Sequence, residues 1–305
     1  MTHLEVEVCG LRLKNPTMLA SGVFDETGKS MLAVAKAGAG AIVTKSIGME
    51  PRPGHPNPSV VELEHGLLNA MGLPNPGIKL YASEIKEAKK GGVPVIGSVF
   101  GGTEEEIAEL ARLVVEAGAD AVELNLSCPH AKGYGAEIGS SPEAVESICK
   151  LAKRRTKGPV FAKLTPNTPS IADLARAAER GGADGIVAIN TLKGMAIDTD
   201  AKMPILGNKI GGLSGPAVKP VGVRCVFEIY EAVRIPVVGV GGIVTGRDAI
   251  EYIMAGASAV QIGTAVWSEG PIVFSKVCKE ISKFMKDNQY QTVKEIVGVA
   301  HPGKR

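Results

Sequence analysis

Four short stretches of the chain nearly repeat one another: Ala37-Gly-Ala-Gly-Ala-Ile-Val43, Ala117-Gly-Ala-Asp-Ala-Val-Glu123, Gly181-Gly-Ala-Asp-Gly-Ile-Val187 and Ala255-Gly-Ala-Ser-Ala-Val-Gln261. Each closes a helical pattern and opens an apolar strand. The glycine at the second position suits a helix end in the left-handed conformation, and the small residues around it permit a short turn. A recurring unit of this kind argues for stacked strand–helix modules.

Apolar runs supply eight parallel strands, at about Thr17–Gly22, Ala41–Ser46, Pro94–Phe100, Ala121–Cys128, Val160–Thr165, Gly185–Asn190, Pro236–Gly241 and Ala259–Gly263. Amphipathic helices lie between most of them, including Thr103–Ala117, Pro142–Arg155, Ile171–Arg180, Lys219–Val233 and Arg247–Met254. Thr103 caps its helix, with Glu106 at the capping-box position. Eight such units in ~250 residues is the size of a (β/α)8 TIM barrel. No linker or composition shift divides the 305 residues, so a single domain over residues 1–305 is expected.

Two departures from the repeat stand out. Leu4–Val8 and Leu11–Leu13 flank Cys9-Gly10 and read as a hairpin plugging the barrel's amino end. Between the second and third strands lies a stretch from Ile47 to Gly77 rich in proline and glycine; long ordered loops in compact domains are usually functional. It belongs on the carboxyl face of the barrel. A second insertion, Met203 to Gly215, precedes a later helix and is placed to pack beside it.

Charge excludes some partners. Thirty-four basic and 32 acidic residues leave a formal net charge of +2, interspersed along the chain. No basic stripe or acidic tail marks a nucleic-acid or membrane partner. The amino terminus alternates as a strand rather than reading as a signal peptide. No apolar run approaches the ~18 residues of a membrane span, so a soluble, cytoplasmic chain is expected. Five cysteines (Cys9, Cys128, Cys149, Cys225 and Cys278) form no CxxC pair, so neither a metal site nor an iron–sulfur cluster is expected on this chain.

Polar groups gather where the strands end: Ser21, Lys45-Ser46, Ser98, Asn125 with Cys128, Lys163, Asn190-Thr191, Gly241-Gly242 and Gly263-Thr264. In an α/β barrel the carboxyl ends build the active site. Cys128 lies there, before Pro129, which ends the strand. Its thiol can serve as nucleophile, base or acid, or as a small buried hydrophobe. A lysine at a buried strand end needs an anionic or hydrogen-bonding partner. Two lysines facing one cavity imply an electron-rich ligand with several acceptors. The glycines after the last two strands fit the barrel phosphate site, where backbone N–H groups and a helix start cradle an anion. Neither GxGxxG nor a Walker A pattern is present. A phosphate-tailed cofactor across the barrel top, such as flavin mononucleotide (FMN), reconciles these features. A lysine at the N1–O2 edge of a flavin stabilises charge that develops there on reduction.

Thr44-Lys45-Ser46, Asn69-Ala-Met-Gly-Leu-Pro-Asn75-Pro-Gly77, Asn125-Leu-Ser-Cys128-Pro, Ala162-Lys163-Leu164, Gly211-Gly-Leu-Ser-Gly215 and Gly239-Val-Gly241-Gly242-Ile together resemble dihydroorotate dehydrogenases, in family order. The resemblance runs from about Leu4 to the final helix. The cysteine is that of the soluble class 1 enzymes; the membrane-linked class uses serine. By this resemblance Cys128 is the general base, taking a proton from C5 of dihydroorotate while hydride leaves C6 for flavin N5. Lys45, Asn69, Ala70, Met71, Gly72, Leu73, Asn125, Asn190 and Thr191 hold the substrate. Ser21, Lys45, Ser46, Ser98, Asn125, Lys163, Ile189, Gly215, Gly241, Gly242, Gly263 and Thr264 bind FMN. The loop Pro129–Ser141 is implied to be a lid that excludes water. His130 stands where many members have asparagine, and Ser98 where an asparagine often meets the flavin.

The wording is most like the catalytic subunit of the NAD-linked class 1B form. That form works with an electron-transfer subunit carrying FAD and a [2Fe-2S] cluster, as a heterotetramer of two plus two chains. A fumarate-linked class 1A enzyme is an alternative. Another is the flavin domain of dihydropyrimidine dehydrogenase, which also reads Asn-Leu-Ser-Cys-Pro-His and reduces uracil or thymine. Asn69–Gly77 and Lys45 favour a carboxylate-bearing substrate, hence dihydroorotate. A Schiff-base aldolase using Lys163 would not need Cys128, and a non-catalytic barrel would leave the polar cluster unexplained.

Overall fold

The structure is a computed structural model and describes residues 3–126, 139 and 141–303. Eight parallel strands close into a barrel with neighbours in chain order. They are β1 (Thr17–Leu19), β2 (Ala41–Val43), β3 (Val95–Val99), β4 (Ala121–Asn125), β5 (Val160–Leu164), β6 (Gly185–Ala188), β7 (Val237–Val240) and β8 (Ala257–Ile262). The expected (β/α)8 barrel is therefore present. Its strands stop short of the apolar runs, β1 at Leu19 rather than Gly22 and β2 at Val43 rather than Ser46. The residues left over are the polar ones, which turn out of the ladder toward the barrel mouth.

Alternation along the strands settles which side chains reach that mouth. Leu19, Ile42, Val95, Val122, Ala162, Ile186, Val237 and Val260 face outward and pack with the helices. Met18, Val43, Ile96, Ala121, Phe161, Val187, Val238 and Ala259 fill the interior. Two residues beyond Ala121, Phe161 and Ala259 come Glu123, Lys163 and Gln261, on the same inner face and one step nearer the carboxyl end.

The outer ring comprises α1 (Gly28–Lys36), α2 (Ile78–Ala88), α3 (Glu104–Glu116), α4 (Pro142–Arg155), α5 (Ile171–Arg180), α6 (Lys219–Ala232), α7 (Gly246–Met254), α8 (Thr264–Glu269) and α9 (Val273–Asp287). In the four repeats Gly38, Gly118, Gly182 and Gly256 have φ of 120°, 112°, 86° and 116°, so each turn uses a conformation that side chains disfavour. Thr103 caps α3 by accepting from Glu106 N. The reciprocal half differs from the expectation: the Glu106 carboxylate accepts from Gly102 N at 2.8 Å.

Val6–Val8 and Leu11–Leu13 pair antiparallel across Cys9 and Gly10, both at positive φ, as a two-residue hairpin turn requires. Val8, Leu11 and Leu13 join the interior cluster and plug the amino end. The proline-rich stretch contains two strands, Val60–Leu63 and Gly66–Asn69. They form a four-stranded sheet with Leu192–Met195 and Ile210–Ser214, from the insertion after β6. Asn69 lies opposite Gly212 in this sheet, which roofs one side of the barrel mouth. Among the described residues no helix is long and apolar enough to cross a membrane.

Candidate active site

A cavity of about 730 Å³ opens at the carboxyl ends of the strands. That size falls within the ~300–1,000 Å³ range of cofactor and small-molecule sites. Its barrel side is lined by Ser21, Lys45, Ser46, Asn125 and Lys163. Ile189, Asn190 and Thr191 follow β6, and Asn69, Ala70, Met71, Gly72 and Leu73 descend from the inserted sheet. Gly215, Gly241, Gly242, Gly263 and Thr264 bound the far end. Ser98 is fully buried and does not line the cavity; it meets the wall only through Ser46. Cys128 lies outside the described residues, as does nearly all of Pro129–Ser141.

A hydrogen-bonded belt crosses the barrel mouth. Ser46 Oγ lies 3.2 Å from Ser21 Oγ and 2.8 Å from Ser98 Oγ, and accepts from Asn125 Nδ2 at 3.1 Å. Asn190 Nδ2 donates to Asn125 Oδ1 at 3.3 Å, and Asn190 Oδ1 accepts from Thr191 N at 2.9 Å. Residues at or just beyond the carboxyl ends of five different strands are thus tied together before any ligand arrives, which restricts their rotamers and lowers the entropy cost of binding. Asn69 Nδ2 reaches Gly212 O at 3.3 Å and fixes the roof above the belt.

Lys163 sits deeper, at 5% exposure. Its Nζ lies 3.2 Å from Glu123 Oε1, and Glu123 Oε2 accepts from Gln261 Nε2 at 2.7 Å. Gln261 lines the cavity, and its Oε1 is buried with no hydrogen-bond partner among the described residues. Glu123, Gln261 and Asp25 all escaped notice in the sequence, as did Asn167, which lines the cavity and donates from Nδ2 to Thr191 O at 2.9 Å. The first two were legible in principle, since each is a polar residue on an inward position of an otherwise apolar strand.

At the far end the backbone comes close. Gly215, Gly241 and Gly242 have φ of 95°, 128° and 69°. A Cβ on Gly242 would stand 2.7 Å from Gly215 O and 2.9 Å from Lys219 Cβ. The N–H groups of Gly242 and Gly263 have no hydrogen-bond partner among the described residues. Such a cradle suits an anion held by backbone. Gly242→Ala should destabilise the apoprotein by about 1–3 kcal/mol through backbone strain. It should also weaken phosphate-bearing ligands; denaturant unfolding and ligand titration check both, and wild-type values in each would refute the cradle.

Lys45 Nζ pairs with the exposed Glu26 at 3.5 Å. Beside it Asp25 is almost wholly buried, its Oδ2 accepting from Gly22 N at 2.5 Å. Burial raises the Asp25 pKa, against the opposing pull of the Gly22 N–H and the Lys45 charge. A carboxyl whose folded pKa exceeds its unfolded value of about 3.9 costs the fold stability as pH rises above ~4. Asp25→Asn removes that loss, so its melting temperature relative to wild type should climb between pH 4 and pH 7. A flat difference over that range would contradict the assignment.

Burial raises the thiol pKa of Cys9 and Cys149 to about 12 and of Cys225 to about 11. Burial raises that of Cys278 too, so all four described cysteines are held as thiols.

Residues 3–285 match the dihydroorotate dehydrogenase family. The chain is 54% identical over 302 residues to a protein of Methanocaldococcus jannaschii named dihydroorotate dehydrogenase B (NAD(+)), catalytic subunit, with 98% of both chains covered. A Pyrococcus abyssi protein of the same name is 54% identical over 297 residues, covering 97% of this chain and 99% of its own. One from Thermoplasma acidophilum is 53% identical over 300 residues, covering 98% and 99%. With its barrel, its belt of serines and asparagines and these relatives, the chain belongs to the dihydroorotate dehydrogenase family.

Proposed function

We propose that this chain is the FMN-bearing catalytic subunit of an NAD-linked dihydroorotate dehydrogenase, oxidising dihydroorotate to orotate in pyrimidine biosynthesis. The observation that carries the reading is the convergence of Lys45, Asn69, Asn125, Asn190 and Lys163 on one cavity, each a residue to which the family resemblance gives a substrate or cofactor role. The names of the relatives support NAD as the acceptor and a separate electron-transfer subunit. That partner would carry FAD and a [2Fe-2S] cluster, in an assembly of two plus two chains.

The residues present fit FMN. The Gly215, Gly241-Gly242 and Gly263-Thr264 backbone would hold its phosphate, while Lys163 and the unpartnered Gln261 acceptor would meet the polar edge of its ring. Bound FMN would supply the acceptor for the hydride that leaves the substrate. Lys45 would pair with the substrate carboxylate, and Asn69, Asn125 and Asn190 would fix the pyrimidine edges. Their mutual hydrogen bonds would orient them beforehand. Cys128 would take the C5 proton, and the charge of Lys45 would favour its thiolate. Ser98, behind Ser46, would act on the flavin only through that hydroxyl.

An anaerobic visible spectrum of the chain with FMN, before and after dihydroorotate, tests this. Bleaching of the flavin bands by dihydroorotate is the expected result, with NAD then oxidising the flavin only when the partner subunit is added. Bleaching by dihydrouracil alone would indicate the pyrimidine-reducing alternative. Failure to take up FMN would overturn the reading.

A further inference from the structure

Glu123 is the one carboxylate among the described residues that stands inside the barrel, wholly buried and one layer beneath the cavity. Lys163 and Gln261 line the cavity above it; Glu123 does not. Stability alone does not account for it. An apolar side chain of similar volume on that strand would fill the layer as Ala121, Phe161 and Ala259 fill the one below. A buried ion pair rarely stabilises a fold more than such packing does. The arrangement is nonetheless specific. Gln261 Nε2 clamps Oε2 at 2.7 Å, which turns Oε1 toward Lys163 Nζ at 3.2 Å. Among the described residues Oε1 receives no aligned hydrogen bond, so its contact with Lys163 is electrostatic and leaves the ammonium donors for the cavity.

We propose that Glu123 is a positioning residue and fixed countercharge: it holds the Lys163 ammonium at the cavity floor and offsets part of its field at the redox group. The Lys163–Glu123–Gln261 set thereby determines how strongly the site prefers reduced over oxidised flavin. Without the carboxylate the unbalanced ammonium would favour the reduced, negatively charged form more. With it, part of that preference is cancelled while the ammonium donors remain available to the ring. This inference rests on the FMN reading above.

The test is the two-electron midpoint potential of the FMN-loaded chain, measured by dye equilibration. Glu123→Gln keeps the volume and removes the charge. It should favour the reduced flavin by tenfold or more, a rise of ~30 mV, while Glu123→Asp should stay within threefold of wild type. A Glu123→Gln potential equal to or below wild type would overturn the proposal, as would a Glu123→Asp potential shifted as far as that of Glu123→Gln. A wild-type chain that takes up no FMN would instead remove the flavin reading itself.

Discussion

Cys128→Ala should retain FMN and yet be reduced by dihydroorotate about two to four orders of magnitude more slowly, the usual worth of a positioned general base. The measurement is single-turnover: bleaching of the flavin bands after anaerobic mixing. Its pH profile adds a second check. If a thiolate is the base, the wild-type rate should rise with pH through the thiol's ionisation, and that limb should vanish in the variant. Unchanged reduction by Cys128→Ala would end the base assignment. Cys128→Ser should fall between the two, because a hydroxyl can pass on the same proton only with a stronger partner.

The second large effect belongs to Lys163→Ala, and it should be visible without any ligand. Lys163 and Glu123 side chains are 6% and 1% exposed, so solvent screens their pairing little. Removing the cation leaves a buried carboxylate held only by Gln261, which costs about 3–5 kcal/mol in comparable cases. Denaturant unfolding of the apoprotein at pH 7 should show that deficit. Adding Glu123→Gln to Lys163→Ala should recover most of the loss at pH 7. A deficit below about 1 kcal/mol, or one that the second substitution leaves intact, would show that the pair is not coupled. The same Lys163→Ala chain should also bind FMN more weakly.

The barrel was readable because its signals are local. Gly38, Gly118, Gly182 and Gly256 each mark a helix end by a backbone conformation that only glycine adopts easily. Period-two alternation then sorts Val122 from Ala121 and Ala162 from Phe161 without any knowledge of the tertiary fold. The cavity was readable where polar residues follow apolar strands, as at Lys45, Asn125, Lys163 and Asn190. What stayed hidden depends on partners distant in sequence. Gln261 meets Glu123 across 138 residues, and nothing in either neighbourhood announces the other. Asp25 sits among turn residues and looks exposed, yet the loop folds over it. The Ile47–Gly77 stretch reads as irregular because its prolines mask two four-residue strands, a short hairpin whose second strand, Gly66–Asn69, finds its other ladder partner far along the chain in Ile210–Ser214. Ser98 shows the converse: adjacency to the mouth in sequence did not bring its side chain to the surface of the cavity.

The roof sheet has a bearing on the order in which the molecule assembles. Asn69 and its ladder partner Gly212 are separated by 143 residues, and β3 to β6 lie between them. Closing so long a loop is entropically costly until the intervening strands have shortened the distance. The strand pairing that carries Asn69 to Gly72 over the cavity therefore waits on β3 to β6. Proteolytic cuts in the folded chain should appear in this sheet before they appear in the wall, because Val60–Leu63 is an edge strand and carries no buried residue. A nascent chain that has not yet emerged as far as Ser214 already has the lysines, yet it has no chamber in which to use them.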